Sequence, residues 1–189
     1  MIRSHEVPIS LLEESHNFND FDYALVHLFE KHPQYFNFYK RSLQQGRMVI
    51  LDNSVFELGE SYDENLFEMW IERLRPTYYI IPDKFGDADF TINSIEKWIK
   101  KSLPAKTMGV IQGKTIDDLI FCYKSIADKV DIVGISFAQP SFLEMFPGIN
   151  KNHAYMLGRI YLINRILSLS KLREDKHHHL LGCSLPQEL

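Results

Sequence analysis

Cysteine is nearly missing from this sequence: among 189 residues only Cys122 and Cys183 occur. Two well-separated cysteines form neither a paired metal motif nor a disulfide framework, so a reducing, cytoplasmic setting is expected. Long apolar runs are missing too. None approaches the roughly 20 residues that span a bilayer, so no membrane association is expected. Met1-Ile2-Arg3-Ser4-His5-Glu6 lacks the apolar centre of a signal peptide. Nor is there an excess of positive charge. The net charge of −4 argues against indiscriminate coating of nucleic acid, while leaving room for a local basic face. Phosphate-cradling glycine signatures, low-complexity tracts and internal repeats are absent, and residues 1–189 read as a single domain.

What is present is an ordinary globular composition, 45% hydrophobic and 24% charged. Aromatic residues are many, 13 Phe and 9 Tyr, and suit core packing or base stacking. Short apolar runs alternate regularly with longer amphipathic stretches. Strands are expected at residues 23–28, 47–52, 78–83, 107–112, 131–137 and 178–183, with a further short one around 6–11. Near-continuous apolar runs of this kind belong to strands buried on both faces of a parallel sheet. Helices are expected at 34–45, 64–75, 90–102, 116–128 and about 154–172. Gly46 and Pro76 mark helix ends, and Thr115-Ile116-Asp117-Asp118 has the composition of a capped first turn. Residues 138–151, with two prolines and one glycine, read as a loop. The class is α/β, either doubly wound or a TIM-type (β/α)8 barrel. A complete barrel takes about 250 residues, so a barrel here is expected to be incomplete, its last strand missing from this chain or supplied from elsewhere.

In both architectures ligands bind at the carboxyl ends of the strands. Those ends read Asp52-Asn53-Ser54, Asp83, Gln112-Gly113, Ser136 and Gly182-Cys183-Ser184. A carboxylate accepts two N–H donors from an amidine-like edge, a primary amide both donates and accepts, and glycine lets backbone approach a flat ring. The set suits a heterocycle better than a phosphate. Each residue also has a plainer use: a strand-end Asp caps the next helix, and Gln-Gly makes a turn. Asp52 and Asp83 together are also a donor pair for a divalent cation. His177-His178-His179 resembles a metal tract but reads better as a solvated turn entering a strand. His27 reads as a ligand contact or as a hydrogen-bonded core histidine. Cys183 has no activating base nearby in sequence. Lys84, Lys114 and Arg159 are candidates for phosphate contacts near the rim.

At these strand ends the sequence resembles the tRNA-guanine transglycosylase superfamily, and within it the small phage-type members linked to 7-deazaguanine in DNA. The family's Asp-Ser-Gly-Gly-Phe-Gln motif has an altered counterpart in Asp52-Asn53-Ser54-Val55-Phe56-Glu57. Its base-reading Asp falls on Asp83, and its Val-Val-Gln-Gly-Gly segment on Val110-Ile111-Gln112-Gly113-Lys114. The Gly-Gly-Leu strand is similar to Val133-Gly134-Ile135. The Leu-Met-Gly-Val-Gly strand is similar to Leu180-Leu181-Gly182-Cys183, followed by Leu185-Pro186-Gln187-Glu188. The resemblance implies an incomplete (β/α)8 barrel and a pentosyltransferase that exchanges guanine in DNA or tRNA for a 7-deazaguanine, as in queuosine formation. Asp52 would be catalytic, as acid/base or substitute nucleophile. Phe56, Asp83, Gln112, Gly113, Gly134, Leu181 and Gly182 would bind the base. No cofactor and no metal are implied. The partners implied are nucleic acid, a guanine or 7-deazaguanine base, and a second copy or partner subunit. No residue of this sequence takes the role of the family's nucleophilic aspartate or of its zinc-binding cysteines. The alternative is a non-catalytic or truncated relative that binds a base or a partner subunit.

Overall fold

The computed structural model describes residues 2–169, 172–183 and 185. The chain is an α/β protein, and its backbone gathers into two compact units, Met1–Pro82 with Lys101–Thr107, and Asp83–Lys100 with Met108–Leu189.

The first unit opens with a 3₁₀ turn, Ile9–Leu11, and a single helical turn, α1 (Leu12–Ser15). Strand β1 (Asp22–Leu25) is followed by α2 (Pro33–Gln44), β2 (Val49–Asp52), the short α3 (Val55–Leu58), α4 (Glu64–Leu74) and β3 (Tyr78–Ile80). The strands pair in parallel, Leu25 opposite Asp52 and Leu51 opposite Tyr79. Pro33 starts α2, where its missing N–H costs nothing. Asp63 caps α4 by accepting the N–H groups of Asn65 and Leu66. The apolar faces of α2 and α4 meet in an aromatic cluster. Phe29 and Phe36 lie 5.3 and 5.4 Å from Trp70, ring to ring. At the amino end of β1, buried Asp22 accepts two hydrogen bonds from Arg47, at 2.9 and 3.0 Å.

The second unit contains α5 (Ala88–Trp98), β4 (Lys106–Ile111) from Met108 onward, α6 (Ile116–Ile126), β5 (Ile132–Ser136), α7 (Pro140–Met145), α8 (Lys151–Ser168) and β6 (His177–Leu181). Parallel pairing sets Val110 opposite Gly134 and Gly134 opposite His179. Thr115 and Asp118 form a reciprocal capping box at the start of α6. Buried Gly158 brings α8 against α7. A Cβ there would lie 2.3 Å from Phe142 Cβ.

Several expectations are corrected. The segment around residues 6–11 is no strand. Pro8 leads into the 3₁₀ turn, and the Asn19 side chain bonds both backbone groups of His5, taking the place of a strand neighbour. The strand expected at 23–28 ends at Leu25, where the backbone turns into a 3₁₀ segment, Val26–Leu28. The strand expected at 78–83 ends at Ile80. Pro82 has no N–H to offer a ladder, and the Ile81 carbonyl accepts from the Asn53 side chain instead. Within the loop expected at 138–151, Pro140 begins α7. The three histidines are not a turn but the first three residues of β6. Residues 170–171, 184 and 186–189 lie outside the described residues, and with them most of the Leu185–Glu188 resemblance.

Candidate functional site

In the second unit the chain places Asp83 after β3 and Gln112 directly after β4. Both are 2% exposed. The Gln112 amide donates to Asp83 Oδ2 at 2.6 Å. Its orientation is not arbitrary. The Gly86 backbone N–H, which can only donate, points at Gln112 Oε1 from 3.2 Å, so the amide nitrogen must face Asp83. The Gln139 amide also donates to Gln112 Oε1, at 3.4 Å. Gln139 is 1% exposed, and its own Oε1 is buried without a hydrogen-bond partner among the described residues. Gln112 therefore has a second amide hydrogen beyond the one given to Asp83, and the Gln139 side chain adds a buried acceptor. An amide and a carboxylate side by side can exchange hydrogen bonds with a planar edge that carries N–H and C=O groups.

The expected glycines have other tasks here. A Cβ on Gly113 would sit 2.6 Å from Asp118 Cβ and 2.8 Å from the Leu119 nitrogen, so Gly113 lets β4 run close against the first turn of α6. A Cβ on Gly134 would come within 3.0 Å of Val110 and Leu181 side-chain carbons, whose packing it permits. Gly182 is exposed with φ +60°, a turn that follows β6. Leu181 is half-buried, and its carbonyl accepts from Arg159 at 2.8 Å. The buried Arg159 guanidinium also donates to the Ile135 carbonyl at 3.2 Å and lies over the Phe137 ring. It ties the carboxyl ends of β5 and β6 rather than facing solvent phosphate. Lys84 pairs with Asp87 at 3.1 Å, and Lys114 stands exposed beside the α6 cap.

In the first unit Asp52 closes β2, half-buried. Its Oδ1 accepts the Ser54 N–H and its Oδ2 accepts the Tyr23 hydroxyl. Asn53 is a backbone clamp, donating to the Ile81 carbonyl at 3.1 Å and accepting from Val55 N–H at 3.0 Å. Ser54 is fully buried at φ 60°, a left-handed conformation that disfavours L side chains. Its hydroxyl receives the His27 N–H at 3.4 Å. The His27 ring nitrogen Nδ1 is enclosed with no partner among the described residues. Burial lowers its pKa, followed by opposing effects of Glu57 and Lys31. Phe56 is 73% exposed on α3 and free to meet a flat ligand.

The structure thus brings Asp83 and Gln112 together with Gln139, and separately brings Asp52 together with Tyr23 and Ser54. Gln139 and Tyr23 were missed in sequence. Gln139 stands in a stretch read as loop, where a glutamine just before a proline was the signal available in the sequence. Tyr23 hides within an apolar strand run.

Other chemistry is limited. Among the described residues no three His, Cys, Asp or Glu side chains gather as a metal-holding group. Alternate strand residues face opposite ways, so the three histidines of β6 diverge. His178 Nε2 meets the Tyr123 hydroxyl at 2.9 Å, while burial, then Arg159, pulls His179 down to about 4. Burial first, and Asp83's charge after it, push the Cys122 thiol up to about 11 against the bond from the Gln112 N–H. A hollow of about 340 Å³ is lined by Gly86, Asp87, Ala88, Asp89, Lys114, Asp118 and Phe121. Three carboxylates against one lysine make it a poor phosphate seat, and it touches the Asp83–Gln112 pair only through Gly86. No helix among the described residues is long and apolar enough to cross a membrane. In comparison with known proteins, no family model and no curated protein matches the chain.

Proposed function

We propose that the chain is a guanine base-exchange transglycosylase of the pentosyltransferase type, built as an incomplete (β/α)8 barrel and acting on DNA or tRNA with a 7-deazaguanine as the incoming base. The observation that supports the reading is the buried Asp83–Gln112 pair, its amide held one way round by Gly86. Asp83 accepts the N1–H and exocyclic amine of guanine, and the second Gln112 amide hydrogen donates to the base carbonyl. Phe56 stacks on the ring. Asp52 serves the scissile glycosidic bond, as acid/base or as the carboxylate that attacks C1′ while guanine leaves. A base within a duplex or stem must be flipped out to be exchanged.

Calorimetry with guanine and 7-cyano-7-deazaguanine tests the pocket, comparing the native chain with Asp83→Ala. Removing a carboxylate that accepts two N–H groups costs about 1.5–3 kcal/mol for each bond, so affinity is expected to fall at least roughly 100-fold. A folded native chain that binds neither base would overturn the proposal. One observation favours a second reading, a relative that binds the base without exchanging it. Both Asp52 oxygens already accept hydrogen bonds, which blunts a nucleophile. Incorporation of labelled guanine into DNA or tRNA by the chain that binds the base separates the two.

A further inference from the structure

We infer that Tyr23 is the positioning residue of Asp52, its hydroxyl holding one carboxylate oxygen while the Ser54 N–H holds the other, so that the plane of the carboxylate is fixed in one direction. The catalytic consequence rests on the base-exchange reading; the pairing itself does not.

The geometry comes from the register of two strands. Leu25 stands opposite Asp52 and Tyr23 opposite Ile50, so Tyr23 lies two residues back along β1, and its ring runs toward the end of β2 to reach the carboxylate. The tyrosine is itself anchored. The Tyr39 hydroxyl donates to the Tyr23 carbonyl at 2.8 Å, and the Tyr35 hydroxyl accepts the Leu25 N–H at 3.0 Å. Both tyrosines are buried on α2. A carboxylate offers about four lone-pair sites. With each oxygen accepting, rotation about the Cβ–Cγ bond breaks two bonds at once, so the plane of the carboxylate has a set direction.

The phenol is also a permanent donor. Burial foremost, then the charge and hydrogen bond of Asp52, with smaller contributions from Glu57 and Glu6, push Tyr23 well above the ordinary tyrosine range. The titratable groups around this pair within its unit include Tyr35 and Tyr39 from α2, His27 from the 3₁₀ segment, Glu57 from α3 and Glu6 from the amino-terminal segment. A donor to the anionic form stabilises it.

The test is Tyr23→Phe, which keeps the ring and removes the hydroxyl, read by carbon-13 NMR titration of the Asp52 carboxyl. The midpoint is expected to rise by about one to two pH units relative to the native chain. A midpoint within roughly 0.3 unit of native would overturn the inference. Asp52→Asn supplies a second reading should Tyr23→Phe fail to fold. With the charge gone, the Tyr23 phenol carbon is expected to titrate at lower pH than in the native chain, and an unchanged titration counts against the pairing. Neither measurement uses a base or an exchange reaction. Loss of guanine binding would sink the proposed function and leave these readouts standing. Where exchange is detected, Tyr23→Phe is expected to lower kcat with KM for the free base unchanged, and to displace the acid limb of the pH profile. A purely structural loss would move neither limb nor midpoint.

Discussion

Replacing Gln112 tests the heart of the second unit, because one amide serves three partners. Gln112→Leu removes the donor to Asp83 and the acceptor for the Gly86 N–H and the Gln139 amide. Asp83 stays 2% exposed with a charge-assisted bond lost, worth about 1.5–3 kcal/mol. The Gly86 bond adds roughly another 1 kcal/mol, and the long Gln139 contact less. A total near 3 kcal/mol lowers the melting temperature by about 6–12 °C in a chain of this size. Gln112→Glu separates charge from shape. It keeps the acceptor for Gly86 but sets a second carboxylate within hydrogen-bond reach of Asp83. Two such groups share one proton, and the higher of their apparent pKa values rises above the unfolded carboxylate range. A raised folded pKa means that the native state holds more protons than the unfolded one at neutral pH, so stability falls as pH rises. Thermal melts at pH 5 and pH 8 are therefore expected to show Gln112→Glu close to native at pH 5. At pH 8 it should fall below Gln112→Leu, with a swing of roughly 3–4 kcal/mol. If the two variants melt together at both pH values, Gln112 and Asp83 are not in direct contact, and the pocket argued from them does not exist.

Three further outcomes follow from the same physics. Cys122, held up to about 11 and fully buried, is expected to resist alkylation at pH 8 in the native protein while exposed Cys183 reacts. Mass spectrometry that finds both thiols modified before unfolding would contradict its placement behind Gln112. His179, pulled down to about 4, stays neutral when folded, so its stabilisation is whole above the unfolded value near 6.5 and is lost as pH falls toward 4. The loss amounts to roughly 3 kcal/mol, and His179→Leu should flatten the melting curve against pH across that window. Gly158→Ala puts a methyl group where Phe142 already stands, and is expected to destabilise the α7–α8 contact by about 1–3 kcal/mol in urea unfolding.

Strands such as β2 and β5 were legible because they are nearly unbroken apolar runs ending in a polar residue, and the observed bounds of the six strands differ by at most three residues at either end. The helices were equally plain where capping residues precede an apolar stripe, as Thr115 does. What escaped were elements set by exceptions. Proline reads as a breaker, yet at the first helical position it begins α7. A backbone segment near His5 looked like a strand, but a single asparagine side chain satisfies it. Within the candidate site, Asp83 and Gln112 could be listed from strand ends alone, whereas their mutual bond could not. Gly113 and Gly134 looked like ligand-facing gaps because glycine at a rim has that use. Their neighbours show a second use, close packing of helix on strand and of side chain on side chain. Tyr23 and Gln139 needed tertiary register, which pairs positions 29 and 27 residues away from their partners.

The two carboxylates singled out in sequence are built for different work. Asp83 is enclosed, and the Gln112 amide that donates to it is held in a fixed orientation. Asp52 is half-buried and held from both sides. The loop that holds it carries backbone strain at Ser54, a buried non-glycine residue at φ 60°. Strain of that kind, about 1–2 kcal/mol, persists only where the surroundings over-determine the conformation. Here they do: the Asn53 side chain accepts the Val55 N–H within the turn and donates to the Ile81 carbonyl after β3, and the Ser54 hydroxyl receives the His27 N–H. A turn that accepts a strained serine in order to aim its N–H at Asp52 is organised around that carboxylate. Such rigidity favours a group that stabilises developing positive charge without moving, more than one that must swing to attack. Where exchange is detected, Asp52→Glu, which keeps the charge and lengthens the arm, should on this argument impair it nearly as much as Asp52→Asn. An Asp52→Glu variant with native turnover would show that position is immaterial, and would take the argument for the strained loop with it.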